Sequence, residues 1–183
     1  MTFDPSEYDA VVYDLDGTLV DLAVDWDAVA DDVIAVYTDN AIKPPGDGLW
    51  DLLGAADQYG IRADVEAVIG SHERVGARES TRLPLADVLA AGDPTRAAVC
   101  SLNCEDACRV ALETHDVDDA VSAVVGRDTV DTHKPDPESL LAAVDALGVD
   151  AANAVFVGDS ARDATTAERA GVPFVWTADV TQE

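Results

Sequence analysis

Apolar positions along this chain fall into two rhythms. Short continuous runs without polar alternation occur at Ala10-Val11-Val12-Tyr13, Arg96 to Cys100, Ala120 to Val125, Ala154 to Val157 and Val172 to Trp176. Such runs predict strands buried on both faces. Between the later runs the apolar residues recur at helical spacing. Cys104, Ala107, Cys108, Ala111 and Leu112 form one stripe, with Asn103 available as an N-cap. Leu140, Leu141, Val144 and Leu147 form another, closed by Gly148, and an Ala-rich stretch ends at Ala170-Gly171. Strands alternating with helices predict an α/β fold, a Rossmann-like parallel sheet with helices on both faces.

After the first strand the rhythm changes. Trp26, Val29, Ala30, Val33, Ile34 and Tyr37 make a helical stripe that Pro44-Pro45-Gly46 breaks. Leu49, Leu52, Leu53 and Ala56 make a second, ending near Gly60, and Val65, Val68, Ile69 and His72 a third. Three helical patterns with no strand between them predict a small helical module, 21–82, inserted into an α/β core, 1–20 and 83–183. Leu83 to Leu89, with Pro84 suited to a first helical turn, leads back into the core. No internal repeat or low-complexity segment is visible.

Composition narrows the partners. Of 183 residues, 37 are acidic and 11 basic, a formal net charge of −26, and only Lys43 and Lys134 are lysines. Nucleic acid needs a basic footprint, which is missing. The acid is spread along the chain and does not gather in a tail, so it reads as a solvated surface. Scarce lysine with evenly spread acid looks like a cytoplasmic protein of a salt-accumulating halophile. Molar salt shortens the Debye length to about 3 Å and screens both self-repulsion and repulsion of an anionic ligand. The start of the chain shows no basic region followed by an apolar stretch, and no run approaches membrane-spanning length, so neither a leader nor a membrane is expected. Cys100, Cys104 and Cys108 make an odd count that argues against a disulfide framework. Buried reduced thiols are expected, with a metal or redox pair at Cys104 and Cys108 as the alternative.

Candidate chemistry sits where the strands end. Asp14-Leu15-Asp16-Gly17-Thr18 follows the first apolar run. The strand fixes the first carboxylate, Gly17 lets the backbone turn away, and Thr18 offers a hydroxyl to an arriving anion. An Asp-Gly pair alone is an ordinary turn. Ser101 and Asn103 follow the second strand, and a hydroxyl and an amide there can hold phosphate oxygens, though both are also ordinary caps. Lys134, inside Thr132-His133-Lys134-Pro135-Asp136-Pro137, offers a compact cation suited to a phosphoryl oxygen. Gly158-Asp159-Ser160-Ala161-Arg162-Asp163 places two carboxylates four residues apart after another buried strand. Hard oxygen ligands suit Mg²⁺, which binds through one or two carboxylates, waters and a substrate phosphate. The same carboxylates at a helix start can also serve capping and the helix dipole.

In order and spacing, these four motifs resemble those of the haloacid dehalogenase-like (HAD) superfamily, and the resemblance spans the chain. It implies a helical cap after strand one and places the chain with the phosphoglycolate phosphatase-like branch. It further implies a Mg²⁺-dependent phosphatase acting on a phosphomonoester of a small metabolite. Asp14 would attack phosphorus to give an aspartyl-phosphate, and Asp16 would protonate the leaving alcohol and then activate water. The metal would be held by Asp14, the backbone carbonyl of Asp16, and Asp159, with Asp163 bound directly or through water. Lys134, Ser101, Asn103 and Thr18 would bind the phosphoryl oxygens, Lys134 and Ser101 also stabilising its charge. His133 is expected to point elsewhere.

The residues also weigh the other branches. Dehalogenases lack a carboxylate at the Asp16 position and need no metal, so Asp16, Asp159 and Asp163 argue against them. A Schiff-base mechanism would need a cap lysine, and Lys43, before Pro44, lies in an apparent loop. A sugar-type phosphomutase remains the alternative, since it shares all four motifs. A non-catalytic phosphate-binding module would be expected to have lost a motif residue. Trp26, Trp50, His72 and Arg74 are candidates to line the pocket, and the protein is expected to be a monomer or homodimer.

Overall fold

The structure, a computed structural model, describes residues 5–91 and 96–180. The amino terminus read above for a leader lies outside them through residue 4. In chain order the elements are β1 (Ala10–Tyr13), β2 (Val20–Asp21), α1 (Trp26–Asp39), α2 (Leu49–Ala55), α3 (Arg62–Arg78), β3 (Thr81–Arg82) and α4 (Pro84–Ala90). They continue with β4 (Arg96–Cys100), α5 (Glu105–Thr114), β5 (Ala123–Val125), α6 (Glu138–Leu147), β6 (Ala154–Gly158), α7 (Ala161–Ala170), β7 (Phe174–Trp176) and α8 (Thr177–Val180).

Five strands form one parallel sheet in the order β5-β4-β1-β6-β7. Its central strand, β1, is fully buried, as its unbroken apolar run requires. Side chains along it alternate between two cores. Val11 and Tyr13 pack with Val99, Val157 and α4 and α5, whereas Ala10 and Val12 pack with Ala98, Phe156 and α6. Two strands are shorter than their apolar runs. Residues Asp118–Ala120 are a turn of 3₁₀ helix closed by Ala120 N–H to Val117 O and Val121 N–H to Asp118 O, so β5 begins only at Ala123. The last strand begins at Phe174 because Pro173 has no N–H to donate to a ladder.

Helices α1 to α3 bury a core of their own, including Val29, Val33, Tyr37, Leu52, Leu53, Val65 and Ile69. Tyr37 Oη donates to Leu52 O at 2.5 Å and ties α1 to α2. One feature escaped the apolar pattern. β2 and β3 pair antiparallel, Val20 with Arg82 and Asp21 with Thr81, and this two-residue ladder joins the chain entering the helices to the chain leaving them. Helix α3 then packs along α5, so the insertion leans on the carboxyl side of the sheet. Among the described residues no helix is long and apolar enough to cross a membrane.

Candidate active site

Ligands of open parallel sheets bind beyond the carboxyl ends of the strands, and the motif residues meet there. Asp14 extends β1 by one ladder bond, its N–H to Val157 O at 2.9 Å. Gly17 adopts φ +79°, and a side-chain carbon there would collide with the Asp159 carboxylate. The glycine therefore serves both the turn and the close approach of the loop after β6. Lys134 Nζ reaches Asp14 Oδ1 at 2.8 Å, Asp163 Oδ1 at 2.5 Å and the Cys100 carbonyl at 3.2 Å. Carboxylate oxygens of Asp14, Asp159 and Asp163 lie within 4.8 Å of one another.

Crowding shows in the acidities. Burial pushes the Asp14 carboxyl from 3.8 up to about 7, opposed by Lys134 and reinforced by Asp163. Burial and the Asp163 charge also raise Asp159. Lys134 is held above its ordinary range: burial acts to lower it, but the carboxylates of Asp14 and Asp163 prevail. Several carboxylates against one ammonium leave net negative charge in a partly desolvated site, and hard oxygen donors in that state suit a small divalent cation. The donor set thus fits Mg²⁺.

The four motif carboxylates are not equivalent. Asp163 is nearly engaged already: Oδ1 takes Lys134, Oδ2 accepts from Ser160 N and Oγ, and its own N–H closes a capping box on Ser160 Oγ. Asp16 stands apart from the clustered three. Its Oδ1 accepts from Leu22 N–H at 2.9 Å, a tether across the turn, and burial raises its pKa.

Ser101 Oγ donates to Asn103 Oδ1 at 2.9 Å and accepts from Asn103 N–H at 3.1 Å. Asn103 is not the N-cap of α5. That position is Cys104, whose N–H donates to Glu73 Oε2 at 3.0 Å, while Asn103 Nδ2 donates to Glu73 Oε1 at 3.3 Å. Glu73 from α3 thus holds the two residues before the helix, and the first helical N–H, at Glu105, donates to Asp128 Oδ1 at 2.7 Å. Thr18 also differs from expectation. It is buried, it does not line the cleft, and its hydroxyl has no hydrogen-bond partner among the described residues.

Beside these groups lies a cleft of ≈ 300 Å³ lined by Asp14, Asp16, Ser101, Asn103, Lys134 and Asp159 together with Trp26, Trp50 and Arg162. Of the four pocket candidates from the sequence, Trp26 and Trp50 line it. His72 instead pairs with Asp32 at 2.8 Å and Arg74 with Asp106 at 3.6 Å. His133 does not line the cleft, and burial with nearby Arg62, Arg127 and Arg162 lowers its pKa. Cys100, Cys104 and Cys108 are buried free thiols; burial pushes Cys100 and Cys104 up to about 11, which suits packing and not reactivity.

Sequence reasoning missed the joint between the insertion and the sheet. Arg127, its side chain wholly buried, binds Glu73 at 2.7 Å, Glu66 at 2.8 Å and the Leu102 carbonyl at 2.6 Å. Its guanidinium also lies 5.8 Å from the centre of the Trp50 ring. The signal was present. Val65, Ile69, Glu73 and Ala77 recur every fourth residue on one buried face of α3, so Glu73 is a charge placed on an apolar stripe. A buried carboxylate demands a partner.

Comparison with known proteins follows the same lines. Residues 91–177 match the family described as "Haloacid dehalogenase-like hydrolase". The chain is 37% identical to the phosphoglycolate phosphatase of Rhodospirillum rubrum, over 91% of this chain and 78% of that protein. With the phosphoglycolate phosphatase of Caulobacter vibrioides it shares 32% identity, over 90% and 77%. Among solved structures, a HAD-superfamily hydrolase of subfamily IA from Geobacter sulfurreducens superposes with a TM-score of 0.60 at 25% identity, covering 91% of this chain and 88% of that one. CbbY from Rhodobacter sphaeroides, in complex with xylulose-(1,5)bisphosphate, shares the fold with a TM-score of 0.66 at 17% identity, covering 92% and 85%.

Proposed function

The chain belongs to the haloacid dehalogenase-like hydrolases and is a phosphatase by its relatives, and from that premise we propose that it hydrolyses a small phosphomonoester with Mg²⁺. The observation that carries this reading is the convergence of Asp14, Asp159, Asp163 and Lys134 at the end of the central strand, under a small cleft. Lys134 takes only Oδ1 of Asp14. The other oxygen attacks phosphorus, the bond to the leaving alcohol breaks, and Asp16 supplies that alcohol's proton. Asp16 then removes a proton from water, which attacks the aspartyl-phosphate and releases inorganic phosphate and free Asp14. A carboxyl raised by burial and tethered through its other edge is suited to holding that proton. Lys134 and Ser101 bind phosphoryl oxygens throughout, and Asp163 positions Lys134.

Asp14, Asp159 and the Asp16 carbonyl would hold Mg²⁺, with Asp163 acting through water because its oxygens are engaged. The ion supplies positive charge that keeps Asp14 ionised and offsets the repulsion between substrate and carboxylates. Helices α1 to α3, 21–82, act as a cap that closes the cleft and selects substrate. The names of the relatives put phosphoglycolate first among candidate substrates and favour phosphatase over the mutase alternative. In this reading the protein works in the cytoplasm of a halophile as a monomer or homodimer, with no nucleic-acid or membrane partner.

Two assays test the reading. Hydrolysis of an aryl phosphate should stop on chelation and return with Mg²⁺, and Asp14→Asn should abolish it with the circular dichroism spectrum intact. Near wild-type turnover by Asp14→Asn would overturn the assignment. Unfolding followed from molar KCl down to about 0.01 M salt, where the Debye length reaches about 30 Å, should show progressive loss of structure. Equal stability at both ends would remove the halophile reading alone.

A further inference from the structure

Eleven basic side chains serve a chain with 37 acidic ones, and most basic groups near the site are neutralised. Lys134 is bound by two carboxylates, Arg127 by Glu73 and Glu66, and Arg62 by Asp57 and Glu66. Arg162 is different. It lines the cleft, half-buried, and among the described residues its side chain has no ion pair and no hydrogen bond; only its carbonyl accepts, from Thr166 Oγ1 at 2.8 Å. Its guanidinium lies over Trp50, whose ring centre is 5.8 Å from the guanidinium carbon. Trp50, on α2 of the insertion, is in turn contacted from the core by Arg127 at the same distance. A guanidinium is weakly hydrated and stacks on aromatic rings, so this contact orients Arg162 while leaving its five N–H donors free.

An unpaired arginine in a cleft already rich in carboxylate is out of place unless an anion meets it. The phosphoryl group does not fill that role, because Lys134, Ser101 and the metal-binding carboxylates gather on the floor around Asp14. Resting on the phosphatase reading above, we propose that Arg162, held against Trp50, is a specificity residue that binds a carboxylate at the far end of the substrate. The planar fork of donors matches a carboxylate with two parallel hydrogen bonds. A cleft of ≈ 300 Å³ limits the span between the two anionic groups to a few atoms. The neighbouring Asp14, Asp16 and Asp159 favour a singly charged carboxylate over a second, doubly charged phosphate.

A matched pair of inert phosphonates tests this without turnover. Phosphonopropionate and propylphosphonate have the same chain length and differ in the terminal carboxylate. Calorimetric titration of the Mg²⁺-loaded protein in molar KCl should show phosphonopropionate binding at least about tenfold more tightly, the range of one charge-assisted contact. Arg162→Gln should bring that ratio close to one, and Arg162→Lys should keep part of it, since the charge remains and the fork is lost. Equal affinity of the wild type for both ligands, or an unchanged ratio in Arg162→Gln, would overturn the proposal. So would tighter binding of propane bisphosphonate than of phosphonopropionate, which would assign the site to phosphate. Aryl phosphate turnover measured on the same samples reports separately on the phosphatase reading, so the two can fail independently.

Discussion

The floor of the cleft and its roof are built on different principles. On the floor, Asp14 hangs from a buried strand end, the Asp159 and Asp163 loop packs against glycines, and Lys134 reaches in from the loop before α6. Asp14 continues β1 by a ladder bond, and Gly17 and Gly158 leave room where the Asp159 and Asp163 side chains come close. The roof, α1 to α3, has its own apolar core, is closed at its base by a two-residue ladder, and meets the core through side chains, foremost Arg127 with Glu73 and Glu66. In the proposed reading, the chemistry is attached to the sheet and substrate recognition to helices held by a few charges.

That contrast predicts where substitutions act. The largest effect is on the floor: Asp16→Asn should cost on the order of 10²–10⁴ in kcat, the usual size of general acid–base catalysis. Mg²⁺ affinity by calorimetry should persist, because the Asp16 carboxylate is turned to Leu22 and stands apart from the clustered three. Loss of metal binding equal to the loss of rate would merge the two roles and break the account of Asp16.

At the joint, Arg127→Met should leave Glu73 buried without its cation and lower the unfolding free energy by about 3–5 kcal/mol. Arg127→Met with Glu73→Gln should recover part of that, because the uncompensated charge is gone. Urea unfolding in molar KCl measures both. If the double variant is less stable than the single one, the pair is not the clamp between roof and floor.

The most local effect is electrostatic and confined to the floor. Asp14 titrates near 7 in the folded, metal-free protein but near 3.8 when unfolded. The folded state therefore holds this proton more tightly. The resulting stability is complete below the unfolded value and is lost as pH rises through about 7. Metal-free wild type should lose stability relative to Asp14→Asn across that window, with a slope of at most about 1.4 kcal/mol per pH unit. Chemical unfolding of the two proteins at a series of pH values checks the sign, and added Mg²⁺ should reverse it.

The floor was legible in the sequence because strand ends and short motifs are local. Asp14, Ser101, Lys134, Asp159 and Asp163 follow recognisable apolar runs, and the parallel sheet brings such ends together. What could not be read was sideways. The fate of the Thr18 hydroxyl depends on which way the turn buries it. The hold of Glu73 on Asn103 and Cys104 needs two segments thirty residues apart to meet. His72 was read into the third stripe, one residue short of Glu73, although the spacing from Val65 and Ile69 leads to Glu73. A charged residue at an apolar position is the sequence trace of a buried ion pair, and it points to the joint without naming Arg127.

The central claim is that Asp14 becomes phosphorylated and Asp16 releases it. An aryl phosphate has a leaving group good enough to depart without an acid, so Asp16→Asn should still form the intermediate from such a substrate while failing to activate water. Rapid mixing of Asp16→Asn with nitrophenyl phosphate and Mg²⁺ should give a burst of about one nitrophenol per protein chain. Acid quenching followed by peptide mass spectrometry should then find one phosphoryl group on the peptide that carries Asp14. Slow linear release with no burst, and an unmodified Asp14 peptide, would contradict the account.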